Sequence, residues 1–396
     1  MRNCSFLQSL WITGWLFLPL ALLGSGTRVD YVDAFATGRG NAFSATADNP
    51  SAVYYNPAGI TQLEGTQAQV GSYFIALDYE VEIGGQTYAM DDEIQPLPSL
   101  FVTTEIPQWK GLSAGLGLYA PFGLATDWPD NSPFFTVADR SELRYLTVHP
   151  VLAYQVSDTL SIGGGPTFNF ANLEFQQNLT GFRYEGDDQS TGFVASLLWT
   201  PRAEHSFALL YRSEATSDFS GNLQLPVGPG NVVPTTGEAS FAFPEIWRVG
   251  YSYQPDEQWN LEVNMEWMDW EALNTVVLQN PVAPVPFVFE WDSSWFYEFG
   301  MTRFFAGGNH FSLGYVWVEN SIPDATFTPI VPDTNRHFFS LGWGHRGDRW
   351  SWDVVGQYGL GDRDFAAVPG VPGGSDFFGN YQTNSLAINA SLAYRF

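Results

Sequence analysis

The side chains able to do chemistry in this chain are few and widely spaced. Five histidines, His149, His205, His310, His337 and His345, never fall at metal-ligand spacing. Neither a G-x-S-x-G elbow nor a phosphate-binding P-loop occurs. Gly163-Gly164-Gly165 follows an alternating stretch with no helix pattern after it, which suits a thin strand wall better than a phosphate cradle. The acid runs Asp91-Asp92-Glu93 and Asp187-Asp188 could ligate Ca²⁺, but such runs more often solvate loop tips. These patterns point away from an enzyme and call for no cofactor or metal. Binding chemistry is what remains. Arg183, Arg212 and Arg248 could each meet a carboxylate, and Phe219, Leu223 and Leu225 are apolar residues in a segment otherwise rich in loop formers.

The elements that must position these residues follow from composition and period. The chain has 396 residues, with 16 Lys+Arg against 42 Asp+Glu and a formal charge of -26. With Lys110 as the one lysine, a nucleic-acid partner is excluded. Aromatic residues make up 16%, far too many for a disordered acidic chain. Residues 1–26 read as a secretory signal peptide: Arg2, an apolar stretch from Leu7 to Leu23, then Gly24-Ser25-Gly26. Cleavage there would remove Cys4, the single cysteine, so no disulfide is expected. No later apolar run is long enough for a transmembrane helix, which leaves an exported soluble protein or a membrane β-barrel.

Period two then dominates. Leu386, Ile388, Ala390, Leu392, Tyr394 and Phe396 alternate with small and polar residues, as do Leu261, Val263, Met265 and Trp267, and Phe311, Leu313, Tyr315 and Trp317. Connections alternate in length. Short turns fall at Pro107–Gly111, Ser157-Asp158, Pro201–Glu204, Pro255–Gln258, Ala306–Asn309 and Arg346–Arg349. Long loops are expected at 83–95, 121–142, 177–190, 213–240, 271–286, 319–335 and 361–380. Six turns and seven loops separate 14 strands, the even number and loop asymmetry of an outer-membrane barrel. The expected fold is therefore all-β, a 14-stranded antiparallel transmembrane β-barrel over 66–396. Residues 27–65 do not alternate, and Phe35, Phe43, Val53, Tyr54, Tyr55 and Ile60 make them too apolar for a disordered leader, so a plug inside the barrel is expected.

Within that segment, Asp48-Asn49-Pro50-Ser51-Ala52-Val53-Tyr54-Tyr55-Asn56-Pro57-Ala58-Gly59-Ile60 resembles the N-terminal hatch of the FadL/TodX family of outer-membrane hydrophobic-compound transporters. Asn56, Pro57 and Ala58 match its signature tripeptide, and the resemblance continues through Ala120–Asp127, Tyr211–Glu214, Phe243–Trp247, Ile322–Asp324 and Pro332–Arg336. The resemblance implies a hatch in the lumen and passive uptake of long-chain fatty acids or hydrocarbons. It also implies a kinked third strand opening sideways to lipid, which by position falls at Pro121, Phe122, Gly123 and Ala125. Positions matching the family's basic ligand residues read Gln177 and Phe287, neither of them a cation. Arg183, Arg212 and Arg248 are the substitutes, Arg248 with an internal ion pair to Glu262 and Glu266 as the competing role. Expected partners are a hydrophobic small molecule, outer-membrane lipid and the barrel-assembly machinery through Phe396, with the chain acting as a monomer. Two other readings stay open at this point: a general aqueous porin, and a soluble secreted acidic β-sandwich.

Overall fold

The computed structural model describes residues 27–90, 94–129, 132–134, 140–228, 230–365 and 378–396. The acid run 91–93 and the leader 1–26 lie outside the described residues. Fourteen antiparallel strands form a single sheet that closes on itself. They are β1 (Thr66–Ile83), β2 (Ile94–Glu105), β3 (Leu112–Tyr119 and Gly123–Asp127), β4 (Arg140–Ser157), β5 (Leu160–Gln177), β6 (Phe182–Arg202) and β7 (His205–Arg212 and Ala215–Gly228). There follow β8 (Asn231–Phe243 and Ile246–Asp256), β9 (Trp259–Met268), β10 (Ser294–Phe304), β11 (Asn309–Val318), β12 (Arg336–Arg346), β13 (Trp350–Phe365) and β14 (Gly379–Arg395). β14 returns to β1 in register from Gln67 opposite Arg395 to Glu82 opposite Asn380. Closure of this kind leaves no edge to be desolvated in hydrocarbon. It also removes the β-sandwich reading.

The faces divide as the period requires. Along β14, Leu386, Ile388 and Leu392 are exposed, while Ala387, Asn389 and Ser391 are buried against the interior. Outward aromatics pair across strands, as in Tyr211–Trp247 at 4.6 Å and Trp350–Tyr394 at 4.5 Å between ring centres. Such pairs suit the membrane interfaces.

Two expected loops are strands instead. Residues 182–190 belong to β6, and 215–228 with 231–243 form a long hairpin, so Phe219, Leu223 and Leu225 sit on β7 and not on a loop. The cause is the outward face. Thr216, Asp218, Ser220, Asn222 and Gln224 point to water, so the apolar-outward signature of a lipid-facing strand is lost. Phe219 and Leu223 point inward and are buried.

Residues 27–65 form two short helices, α1 (Ala34–Gly38) and α2 (Ala52–Tyr55), and a 3₁₀ turn at Pro57–Gln62. Asp33 caps α1 by accepting from the Ala36 N–H at 3.2 Å. α1 packs on β11, β12, β13 and β14, and the 3₁₀ turn on β3, β4, β5 and β6.

Candidate functional site

The wall is interrupted at β3. Tyr119 lies opposite Thr147 of β4, yet Gly123 lies opposite Arg144. Three residues of β3, Ala120-Pro121-Phe122, therefore stand against two of β4, Tyr145 and Leu146, which makes a one-residue bulge. On its other side β3 pairs with β2 only from Ser113 to Leu118. The outer part of β2, Ile94 to Ser99, pairs with β1 alone. Pro96 and Pro98 fall in that stretch, and proline is tolerated where one side of a strand has no partner. The result is an unpaired stretch, a seam, between β2 and β3 above Leu118, and Pro121, Phe122, Gly123 and Ala125 lie along it.

The first described residues reach this seam. The Val29 N–H donates to Pro121 O at 2.9 Å, and the Gly123 N–H donates to Thr27 O at 2.9 Å. Arg28 lies between them. Its Nη1 donates to the Tyr54 hydroxyl at 2.6 Å, and its Nη2 pairs with Asp30 at 3.0 Å and Glu266 at 3.3 Å. Arg248 Nη2 meets Asp30 and Glu266, each at 2.5 Å, and Glu298 at 3.5 Å. Two guanidiniums thus hold three buried carboxylates from 27–65 and from β9 and β10. Burial alone would raise the Asp30 carboxyl, but Arg248 and Arg28 outweigh it and hold Asp30 below the ordinary carboxylate value.

The motif Asn56-Pro57-Ala58 is tied to β6. Asn56 Nδ2 donates to Ser44 O at 2.8 Å and Leu197 O at 3.2 Å, and the Ala58 N–H reaches Ser196 Oγ at 2.9 Å. Pro57 takes the first position of the 3₁₀ turn, where a missing N–H leaves nothing unpaired. Gly163 of β5 supplies the room, since a Cβ there would lie 2.6 Å from Ala58 N. Gly163→Val is therefore expected to lose ~1–3 kcal/mol of stability by overpacking and to raise steady conductance in planar bilayers. A lower unfolding temperature together with a leak current is the expected result.

An apolar cavity of about 90 Å³ lies on the β3–β8 side, lined by Leu124, Leu143, Phe175, Tyr184, Phe219, Phe241 and Thr27 among others. A hairpin, Thr275–Leu278 with Val285–Val288, contributes Val276, Leu278 and Phe287 to it. Phe122, Tyr145 and Phe243 form a layer beside it, with ring centres 4.5 to 5.3 Å apart.

Of the residues singled out by sequence, Phe219 and Phe287 meet at this cavity. Leu223 is buried in the same core and Leu225 packs against it. Gln177 ends β5 and accepts from the Thr180 hydroxyl at 3.0 Å, away from the cavity. Arg183 alternates with inward Phe182 and Tyr184, so it points outward, where it meets Glu174 at 2.8 Å. Arg248 is consumed by its ion pairs. Its sequence-expected partner Glu266 is correct, whereas Glu262 pairs with Arg39 at 3.6 Å and accepts from the N–H groups of Ala45 and Thr46. Arg212 is buried beside Tyr119 and Tyr54. Sequence reasoning missed Thr27 and Trp291, which line the cavity, Asp30 in the ion cluster and Tyr119 beside Arg212. Only Tyr119, the last alternating residue before Ala120-Pro121, carried a signal. Among the described residues no group of acids and histidines is arranged to hold a metal ion.

A closed barrel with a lipid-facing apolar belt, a side seam and an apolar interior cavity defines an outer-membrane protein that handles apolar solutes. Residues 25–358 match the family described as outer membrane protein transport protein (OMPP1/FadL/TodX), and the chain belongs to that family. It is thus a transporter of hydrophobic compounds in the bacterial outer membrane. It is 22% identical over 368 residues to the long-chain fatty acid transport protein of Escherichia coli K12, covering 78% of this chain and 81% of that one. The fold is similar to a crystal structure of a Pseudomonas aeruginosa FadL homologue, with TM-score 0.84, 17% identity, and 94% and 100% of the two chains covered. It is also similar to the Pseudomonas putida toluene transporter TodX, with TM-score 0.74, 14% identity, and 94% and 100% covered.

Proposed function

We propose that this chain takes up long-chain fatty acids or hydrocarbons passively, with residues 27–65 acting as a hatch and the β2–β3 seam as the exit to lipid. One observation carries the reading: Thr27 lines the apolar cavity while its carbonyl and the neighbouring Val29 N–H bond the backbone of the seam. The same few residues touch both capture site and exit, so their displacement links the two. Capture needs no more than apolar burial, worth ~25 cal/mol per Å² removed from water. Release needs those contacts broken, and lipid is the only apolar phase within reach of the seam.

The chain acts as a monomer, and Phe396 is the group offered to the assembly machinery. An aqueous porin would need an open lumen, whereas here Arg28, Asp30, Tyr54 and Arg248 fill it with a bonded cluster. Uptake tests the reading directly. A strain lacking its own transporters and expressing this chain should accumulate labelled oleate, hexadecane or toluene faster than the empty strain. Planar bilayers should show no large steady current. A large current with no uptake of any of the three would leave the porin reading in its place.

A further inference from the structure

The outer wall carries a cation framed by rings at its periplasmic end. Arg303 of β10 is exposed while Thr302 beside it is buried, so it points outward. Trp259 of β9 and Phe311 of β11 lie opposite it on either side. Its guanidinium carbon is 5.1 Å from the Trp259 ring centre and 5.3 Å from that of Phe305. Trp343 of β12 closes the row, with ring centres 6.2 Å from Phe305 and 6.4 Å from Phe311. Arg346 and Arg395, at the same end of the barrel, pair with Asp48 and Glu64. Arg303 has no carboxylate partner among the described residues. Asp256, in the adjoining turn, is engaged with the N–H groups of Gln258 and Trp259 at 2.8 and 3.0 Å. Ring faces attract a guanidinium but do not match its fork of N–H donors.

One row deeper into the membrane the wall is hollow. Leu261, Met301 and Leu313 lie opposite one another on β9, β10 and β11, two residues along each strand from Trp259, Arg303 and Phe311. They floor a depression of about 550 Å³ whose sides include Tyr251, Phe299 and Tyr315. The step from Arg303 to Met301 is ~7 Å at ~3.3 Å per residue, so cation and depression adjoin. Both belong to the end where short turns join β8 to β9 and β10 to β11, which is the periplasmic end of an outer-membrane barrel.

We propose that Arg303 and this depression form a binding site for a glycerophospholipid of the periplasmic leaflet, its phosphate on the guanidinium and an acyl chain in the hollow. The chemistry selects this occupant. An arginine fork matches two oxygens of a phosphate, and beside apolar surface it discriminates against a lipid without one. A positive side chain on the lipid face is costly at mid-depth and tolerated at the interface, where it reaches headgroups. The aromatic row around Arg303 belongs at that same depth. The site is also separate from the solute's path. The apolar cavity that Phe219 and Phe287 line is inside the barrel and the seam is at β2 and β3, whereas this depression is on the outer face of β8 to β11. The proposal is therefore independent of the uptake reading.

The test uses the full barrel in mild detergent and native mass spectrometry, with phosphatidylglycerol, phosphatidylethanolamine and diacylglycerol of the same acyl chains as probes. The parent should retain either phospholipid at least about tenfold more tightly than diacylglycerol, as a charge-assisted fork requires. In Arg303→Gln that ratio should fall about tenfold. In Arg303→Lys, which keeps the charge and loses the fork, it should fall about threefold. Met301→Trp fills the hollow and should weaken all three lipids together by about tenfold, leaving the ratio as it was. Heat-shifted gel mobility confirms that each barrel is folded, and a variant that does not fold leaves the other two to carry the test. Inorganic phosphate should not displace the phospholipid; if it does, the site holds an anion without a tail and the proposal fails. A parent without preference, an Arg303→Gln barrel with the parent ratio, or a second copy of the chain bound in place of lipid would each overturn it. Cells expressing the three variants should accumulate oleate at the parent rate. Uptake that falls in step with phospholipid binding would assign the site to the solute instead.

Discussion

Removing Pro121 while replacing Pro96 and Pro98 by threonine should slow uptake of a hydrophobic solute at least tenfold and leave its binding in place. The arithmetic of the bulge is the reason. Tyr119–Thr147 and Gly123–Arg144 differ by one residue of register, so one deletion between them puts the two halves of β3 into a single ladder with β4. The other side of the seam needs donors. Pro96 and Pro98 supply no N–H to a neighbour, and threonine restores both with a β-branched side chain suited to a strand. The sealed barrel keeps Phe219, Phe287 and Leu143 where they are, so solute should still enter the cavity. It would lose the Pro121 carbonyl that accepts from Val29, so the contact of residues 27–29 with the seam has to be read separately through conductance. Equilibrium binding of labelled solute to the purified barrel, set beside accumulation in cells, separates capture from exit. Uptake at the parent rate in a folded, sealed barrel would show that solute leaves by another route.

How much of this was legible in the sequence differs from element to element. The last strand was fully legible, because lipid on one side and packed interior on the other impose opposite chemistry on successive residues from Leu386 to Phe396. The outer half of β7 was not, because water bathes its outward face, and Thr216, Asp218 and Ser220 read as loop. The interruption of the β3–β4 ladder falls where Pro121 and Gly123 act on the backbone locally. Arg248 opposite Glu266 was legible too, because register fixes which residues of adjacent strands share a face. The partner of Glu262 was not. Arg39 arrives from the irregular segment, 223 positions away, and no periodicity constrains where such a segment places its side chains. The cavity fell between these cases. Its apolar residues were visible one by one, but the hairpin bringing Phe287 to Phe175, at 5.8 Å between ring centres, joins strands distant in sequence.

Arg248→Ala should cost ~3–5 kcal/mol of stability, the usual result of stripping one partner from a buried charge network, and should turn a closed barrel into a leaking one. The parent cluster sets Arg28 and Arg248 against Asp30, Glu266 and Glu298. It carries one surplus carboxylate. Removing Arg248 raises the surplus to two and takes away the group that bridges Asp30, on the irregular segment, to Glu266 and Glu298, on β9 and β10. The remaining cation, Arg28, sits on the stretch that bonds the seam, so repulsion among the acids acts directly on the Thr27–Val29 contact with Pro121 and Gly123. Loss of charge and loss of packing can be told apart. In Arg248→Met with Glu266→Met the surplus returns to one and both sites keep an apolar side chain of similar length, so stability and closure should recover by at least half. Unfolding temperature and bilayer current measure the two effects independently. A double variant as unstable and as leaky as Arg248→Ala would mean that the shape of Arg248, resting at 5.7 Å from the Tyr55 ring centre, matters more than the charges it balances. A single variant as closed as the parent would mean that Asn56 and its contacts with Ser44 and β6 hold the segment without help from the ion cluster.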